Sequence, residues 1–200
     1  MKLRVGYGTL ALCGILLLSC GTAEKEIALR SQSERTDVYK EVQEGKQIPG
    51  EFVELTIASS IKTHSVGHYP LESRGSFHGI PGYPFLINID GQATTWRVNG
   101  QKESAPTHDA SGKRSSEGGE GMRYNLRKKV LLRAGSHKMF FGLPEEKLLL
   151  HFELVLKAGE SYVLEFRPVY RSHIRRYPHF AHGVRSCEVF LDGNAIKLQK

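Results

Sequence analysis

The sequence predicts an all-β protein, an antiparallel β-sandwich of about seven short strands. Three observations predict this fold: hydrophobic and polar residues alternate beyond residue 50, glycine-containing turns separate the alternating runs, and no long amphipathic helical pattern occurs. The chain has 200 residues, of which 40% are hydrophobic, enough for one packed core. We therefore expect one sandwich domain over residues 51–200, of the immunoglobulin or transthyretin type.

The predicted strands follow one another at short spacing. The first places Val53, Leu55 and Ile57 on one face. The other alternating runs are Phe85–Ile89, Trp96–Val98, Val130–Leu132, His137–Phe141, Leu148–Leu156, Tyr162–Phe166 and Cys187–Leu191. Asp90-Gly91 is a strong hairpin signal, and Asp192-Gly193 closes the last run in the same way.

A long polar segment interrupts the strands. Residues 99–121 are rich in Gln, Lys, Glu, Ser and Gly and contain almost no apolar side chain. The segment is longer than a normal hairpin loop, and we expect a mobile loop. A mobile loop does not hold a catalytic group in place, so its His108 and Asp109 are assigned no chemistry.

The first 20 residues have the three parts of a secretory signal. Lys2 and Arg4 give a basic start, and a hydrophobic run from Leu10 to Leu18 follows. This run is too short for a comfortable membrane span, which needs about 20 apolar residues. We predict that residues 1–19 are a signal peptide removed during export.

The end of this signal, Leu17-Leu18-Ser19-Cys20, resembles the lipobox of bacterial lipoproteins. The resemblance implies that Cys20 receives a diacylglycerol and becomes the first residue of the mature chain. Several acyl chains together hold a protein on a bilayer almost irreversibly. Gly21 is not the aspartate that retains such proteins in the inner membrane, so the resemblance implies the outer membrane, with the domain in the periplasm. The alternative is an ordinary signal peptide, or a membrane-anchored start, with a chance cysteine.

After the anchor, residues 20–50 are polar and have the composition of a flexible tether. Ile27, Leu29 and Val38 leave open a short helix that docks on the domain. Removal of residues 1–19 takes away two basic residues and no acid, which leaves 26 basic and 21 acidic residues and a charge of +5. A basic chain favours anionic partners, and export argues against nucleic acid. Cys187 is then the last free cysteine, expected to be buried.

The segment from Pro168 to Arg185 interleaves cations with aromatic rings. Guanidinium groups bind phosphate or carboxylate bidentately, and aromatic rings stack on sugars or pack on lipid. The candidate ligand contacts are Tyr170, Arg171, Arg175, Arg176, Tyr177, Phe180 and Arg185. The alternative is a solvated basic loop whose rings fold back on the sandwich.

Three histidines lie in this segment, His173, His179 and His182. Imidazole binds zinc or copper readily, but their spacing matches no metal motif, and we expect no metal and no other cofactor. The chain also lacks Gly-x-Ser-x-Gly, a Walker-type phosphate loop and His-Glu-x-x-His. We expect a protein that is not an enzyme. An exported metal-dependent hydrolase that uses these histidines is the alternative.

Three stretches of the domain resemble the small β-sandwich domains of PEGA type found in envelope lipoproteins. They are Ile87–Gly91, Leu131–His137 and Leu154–Leu164. The resemblance implies an extracytoplasmic module without catalytic residues. Together with the lipobox, it predicts a lipid-anchored binding or scaffolding module for an envelope protein or an anionic glycan, with membrane lipid as the partner of Cys20.

Overall fold

The computed structural model of the protein describes residues 20–42, 50–70, 75–173 and 177–198. In this part of the chain, two β-sheets pack face to face and one helix, α1 (Cys20–Arg30), lies on them. The predicted all-β sandwich is confirmed. The predicted signal peptide, residues 1–19, lies outside the described residues.

The larger sheet has seven strands. In spatial order they are β1 (Tyr39–Glu41), β6 (Gly119–Arg133), β2 (Phe52–Thr63), β9 (Ser161–Tyr170), β10 (Val184–Leu191) and β11 (Asn194–Ile196), and β5 (Gln101–Ala105) pairs with the start of β6. The smaller sheet has the order β4 (Gln92–Val98), β3 (Tyr83–Ile89), β7 (Gly135–Leu143) and β8 (Leu148–Leu156). Neighbours are antiparallel except β2 and β9, which are parallel. The antiparallel pattern expected from the sequence therefore has one exception.

The core lies between the two sheets and is built by strand alternation. In β3, Phe85, Ile87 and Ile89 are fully buried against the larger sheet. Phe141 and Phe166 stack across the core with ring centroids 3.8 Å apart, which joins β7 to β9. Hydrophobic burial of this kind is the main force that holds a sandwich together.

Part of the predicted tether is docked on the domain. α1 lies on the outer face of the smaller sheet, where Asn88 donates a hydrogen bond to the carbonyl oxygen of Arg30 over 2.8 Å and the Arg30 guanidinium lies 4.2 Å from the centre of the Phe140 ring. Ile27 is buried and Leu29 is exposed, and β1 pairs with β6. The structure thus differs from the flexible tether expected over residues 20–50, and the short docked helix left open by the sequence is present.

The segment predicted as a mobile loop also has regular structure. Within residues 99–121, β5 pairs with β6 from Gln101 to Ala105. β5 is polar because the Glu103 side chain forms ion pairs with Lys62 and Arg123 instead of packing on the core. The sequence of β5 therefore shows no alternation of apolar residues.

The connections between strands differ at the two ends of the sandwich. Short turns lie at one end, here called the turn end: residues 90–91, 134, 157–160 and 192–193. Long connections lie at the other, here called the loop end. Their described residues are 64–70, 75–82, 99–100, 106–118, 144–147, 171–173 and 177–183. Both predicted Asp-Gly hairpins are at the turn end, and their aspartates have φ of 47° and 48°, as a tight two-residue turn requires. The loop end is where long segments meet and leave space.

Candidate functional site at the loop end

Two adjoining clefts open at the loop end, with volumes of about 820 Å³ and 500 Å³. They share Tyr69, Ala181 and His182. The titratable residues that line only the first cleft are His64, His78, Glu145, Glu146, Lys147, Arg171 and His173. Those that line only the second are His68, Arg114, Tyr177 and His179. Six of the nine histidines in the chain therefore lie in these two clefts.

A chain of hydrogen bonds joins three of these side chains. His64 Nε2 lies 3.0 Å from His78 Nδ1, and His78 Nε2 lies 2.9 Å from Glu146 Oε1. His64 Nδ1 lies 3.1 Å from the carbonyl oxygen of Ser65, which can only accept, so this nitrogen carries a hydrogen. We call this set, His64, His78 and Glu146, the histidine chain.

The histidine chain lies in the wall of the first cleft. Its contacts of 3.0 Å and 2.9 Å connect two imidazole rings to one carboxylate. These contacts fix the orientation of the His78 ring between His64 and Glu146.

Glu146 is positioned by backbone on both sides. It ends a 3₁₀ helix (Pro144–Glu146), and its Oε2 accepts a hydrogen bond from the Val184 backbone N–H over 2.9 Å. A Cβ added at Gly183 would lie 2.6 Å from Glu146 Oε2, and Gly183 has φ of 82°. Both the space and the backbone conformation at this position therefore require glycine.

Arg171, a predicted ligand contact, lines the first cleft and also supports its wall. Its Nη2 donates to the carbonyl oxygen of Glu146, and its Nε donates to the carbonyl oxygen of Val184, both over 3.1 Å. The residue is still solvent-exposed. Arg171 thus fixes the 3₁₀ helix against β10 and adds positive charge to the cleft.

Two other predicted ligand contacts are buried in the core. Tyr170 is 4% exposed and Phe180 3%. The Tyr170 hydroxyl donates to Glu117 over 2.7 Å and accepts from the Lys62 backbone N–H over 3.0 Å, and burial raises its pKa above the ordinary value. Neither ring is presented to a ligand at the surface, so the assignment of these two residues is corrected.

The remaining predicted contacts fall in different places. Tyr177 is half-buried and lines the second cleft. Arg185 is exposed on β10, and Arg175 and Arg176 lie outside the described residues. The described loop end therefore brings Arg171 and Tyr177 to the clefts.

The three histidines considered for a metal come close together without forming a metal site. The ring centroids of His173 and His179 lie 5.7 Å and 6.0 Å from that of His182. His179 donates from Nε2 to the Gly118 carbonyl oxygen over 2.8 Å and accepts the Ala181 backbone N–H at Nδ1 over 3.3 Å. Both of its nitrogens are thus used by the backbone, and its burial lowers its pKa. Among the described residues, no group of three potential ligands is arranged to hold a metal ion.

A network of permanent charges lies beneath the clefts, and we call it the ion network. Arg123 binds both oxygens of Glu103 and both oxygens of Glu117 over 2.8–2.9 Å. Lys62 is fully buried, and its Nζ donates to the carbonyl oxygens of Glu117 and Gly119 over 2.9 Å and 2.7 Å. These contacts fix the 106–118 segment, which walls the second cleft, onto β2 and β6.

The ion network shifts the pKa of its carboxyl groups. The hydrogen bonds from Arg123 lower the pKa of Glu103 to about 2, with smaller help from Lys62. For Glu117, burial acts to raise the pKa, but the hydrogen bonds from Arg123 and Tyr170 outweigh it and the pKa is lowered. Both carboxylates therefore stay ionised at neutral pH. No sequence motif predicts a role for these residues.

The chain matches no family model, no curated protein and no solved structure. No helix in the described part of the chain has the length and apolar character needed to cross a membrane. The function is accordingly inferred from the chemistry of the loop end.

Proposed function

We propose that this protein is a lipid-anchored component of the bacterial cell envelope, attached through Cys20, that binds an anionic glycan at its loop end without catalysing a reaction. The observation that carries this proposal is the pair of adjoining clefts lined by imidazole, guanidinium and phenol groups. Concave sites of several hundred Å³ are the usual size for small ligands. An envelope protein as the partner is the second possibility, and it is an outcome of the test below.

The lining of the clefts suits an anionic sugar. Arg114 and Arg171 supply guanidinium groups, and Tyr69 and Tyr177 supply rings for stacking. In the first cleft, Lys147 forms a salt bridge with Glu24, and the carboxylates of Glu145 and Glu146 lie beside Arg171. No acidic residue is among the described residues that line the second cleft, so Arg114 sets the charge that a ligand meets there.

Binding without turnover fits the state of the one thiol in the domain. Cys187 is 4% exposed. Burial, with a smaller effect from the charge of Glu146, raises the pKa of this thiol to about 12. A protonated, buried thiol is a poor nucleophile, so Cys187 has a packing role.

Ligand binding can be tested by titrating the purified protein with a uronate tetrasaccharide in a calorimeter. We expect saturable binding that weakens at high salt, and a loss of about tenfold in affinity for Arg114→Gln, since one charge-assisted hydrogen bond contributes about 1.5–3 kcal/mol. Lys157→Gln, the same charge change at the turn end, is the matched control. Equal loss in both variants would mean nonspecific attraction. Capture of a stoichiometric protein at high salt, with no sugar bound, would favour the envelope-protein partner.

Anchoring is tested separately by metabolic labelling with a radioactive fatty acid. We expect Cys20→Ala to carry no label and to be absent from the membrane fraction, because the variant lacks the thiol that would be acylated. Cys13→Ala, in the predicted signal peptide, is the control and keeps the label. Labelling that persists in Cys20→Ala refutes the anchor.

A further inference from the structure

The helix that begins at Cys20 runs from the loop end towards the turn end. Near its start, Glu24 forms a salt bridge of 2.6 Å with Lys147, which lines the first cleft. Past its other end, the backbone N–H groups of Glu34 and Arg35 donate to the Gly91 carbonyl oxygen in a hairpin of the turn end. α1 therefore has a fixed direction on the sandwich.

Cys20 is the first residue of α1 and precedes Glu24 by four residues, about one helical turn or 6 Å. The backbone of α1 therefore begins on the loop-end side of the salt bridge between Glu24 and Lys147. No residue separates the anchor proposed at Cys20 from α1, so a lipid there would be tied to this end of the helix.

One turn of the loop end exposes the side chain of Val66, which we call the apolar tip. Residues 65–68 form a turn closed by a hydrogen bond of 3.2 Å from His68 N–H to the Ser65 carbonyl oxygen. Gly67, with φ of 79°, takes the left-handed position of this turn. Val66, at its tip, is 64% exposed, and the neighbouring Tyr69 is 41% exposed. An exposed aliphatic tip beside a tyrosine is the pairing that settles in a membrane interface.

Exposed cations line the same two clefts as Tyr69. Arg114 lines the second cleft, and Arg171 and Lys147 line the first, where Lys147 pairs with Glu24. Basic groups near a bilayer are attracted to anionic headgroups. Charge, apolar tip and the start of α1 thus coincide at one end of the molecule.

We infer that the loop end of the sandwich lies on the bilayer that holds Cys20, with Val66 and Tyr69 in the interface and the clefts facing the anionic headgroups of lipids in that membrane. The inference rests on the proposed lipidation of Cys20. It deepens the proposed function, because clefts in this position meet anionic groups carried by membrane lipids before they meet any dissolved ligand.

Orientation on the membrane can be measured with two exposed valines of similar exposure. Val66, at the loop end, is 64% exposed, and Val155, near the turn end of β8, is 71% exposed. The lipidated protein carrying Val66→Cys or Val155→Cys is labelled with an environment-sensitive maleimide fluorophore. Labelling is selective, because Cys20 is acylated and the buried Cys187 is unreactive. Each labelled protein is then reconstituted into phosphatidylcholine vesicles, with and without phosphatidylglycerol.

We expect the fluorophore at position 66 to shift to the blue and to be quenched severalfold by a spin-labelled phospholipid, and the fluorophore at position 155 to respond as in water. Phosphatidylglycerol should increase the response at position 66. Arg114→Glu should remove that increase, and Lys157→Glu, at the turn end, should leave it unchanged. Ser65→Cys, in the same exposed turn, serves as a second labelling site if Val66→Cys fails to fold.

Equal responses at the two positions, or a response at position 155 alone, would overturn the inferred orientation. Fatty-acid labelling and sugar binding would in that case remain intact, so the proposed function would survive. Loss of fatty-acid labelling in the native chain would instead overturn the anchor and, with it, this orientation.

Discussion

Two clusters of charged side chains lie side by side at the loop end, and they handle charge differently. In the ion network, Arg123 binds two carboxylates with both partners permanently charged at neutral pH. In the histidine chain, two imidazoles and one carboxylate are joined by contacts of 2.9–3.0 Å. The first cluster fixes a segment, and the second faces a cleft.

The difference shows how one end of a sandwich can combine a fixed support with a site open to a ligand. Guanidinium and ammonium groups keep their charge across the physiological range, so the ion network holds the 106–118 segment at neutral pH. The histidine chain contains no guanidinium or ammonium group and lies in the wall of the first cleft, where a ligand can reach it. Each cluster can be disrupted separately.

The largest effect is expected from breaking the ion network with Arg123→Met. This change leaves Glu103 and Glu117 close together without their shared cation. Removing one partner from a buried ion pair costs about 3–5 kcal/mol, and because both carboxylates are about one-third exposed we expect a loss at the lower end, about 3 kcal/mol. Urea unfolding should show the loss. Arg133→Met is the control, because Arg133 forms an exposed pair with Glu51 that contributes about 0.5 kcal/mol or less. A loss below about 1 kcal/mol in Arg123→Met would contradict a structural role.

An intermediate effect is expected at the histidine chain from Gly183→Ala. The new Cβ would collide with Glu146, and the residue would keep a left-handed backbone. Gly159→Ala is the matched control, since Gly159 has φ of 75° but open space around its Cβ position. The backbone alone costs about 1 kcal/mol, so thermal unfolding should show Gly183→Ala as the more destabilised variant by a further 1–2 kcal/mol, roughly. Equal losses would mean that Glu146 moves aside freely.

The smallest effects are expected from pH. His179 has a lowered pKa, so its folded state resists protonation, and stability should begin to fall as the pH drops below about 6.5. Glu103 has a pKa of about 2 against 4.5 in the unfolded chain, so its contribution is present above pH 4.5 and is lost as the pH falls towards 2. Urea midpoints measured against pH should show two separate declines.

Variants assign these declines. His179→Asn should remove the decline near neutrality and keep the acidic one, and Arg123→Met should flatten the acidic one alone. If the urea midpoint of either variant depends on pH as in the native protein, the substituted residue does not cause the decline assigned to it.

Strand alternation made most of the frame predictable from the sequence. The runs at Val53–Ile57 and Leu148–Leu156 alternate because one face is buried and the other is wet, and both form strands. The sequence does not predict β5 and the start of β6, because their charged side chains form ion pairs. Such strands show no alternation of hydrophobic and polar residues. α1 is short, and among its described side chains Ile27 alone is apolar and buried, so its composition resembles that of a tether.

The candidate site was less predictable than the frame. The residue types of Tyr170 and Phe180 favour ligand binding, but both side chains are buried in the core. The histidine chain joins residues 64, 78 and 146, which meet only because three loop-end connections converge. No spacing of residues along the sequence predicts this contact, because the three residues are far apart in the chain. His68 and Arg114 lie at the clefts for the same reason.

The docked start of α1 limits how far the domain can reach. β2 has 12 residues, so the sandwich is about 40 Å tall along its strands. If Cys20 carries lipid and the loop end lies on the bilayer, as we propose, the clefts stay within a thin layer at the membrane surface while the protein diffuses in two dimensions. Groups within that layer meet the clefts at high effective concentration, whereas a partner on an opposing surface more than one domain height away must itself extend to make contact.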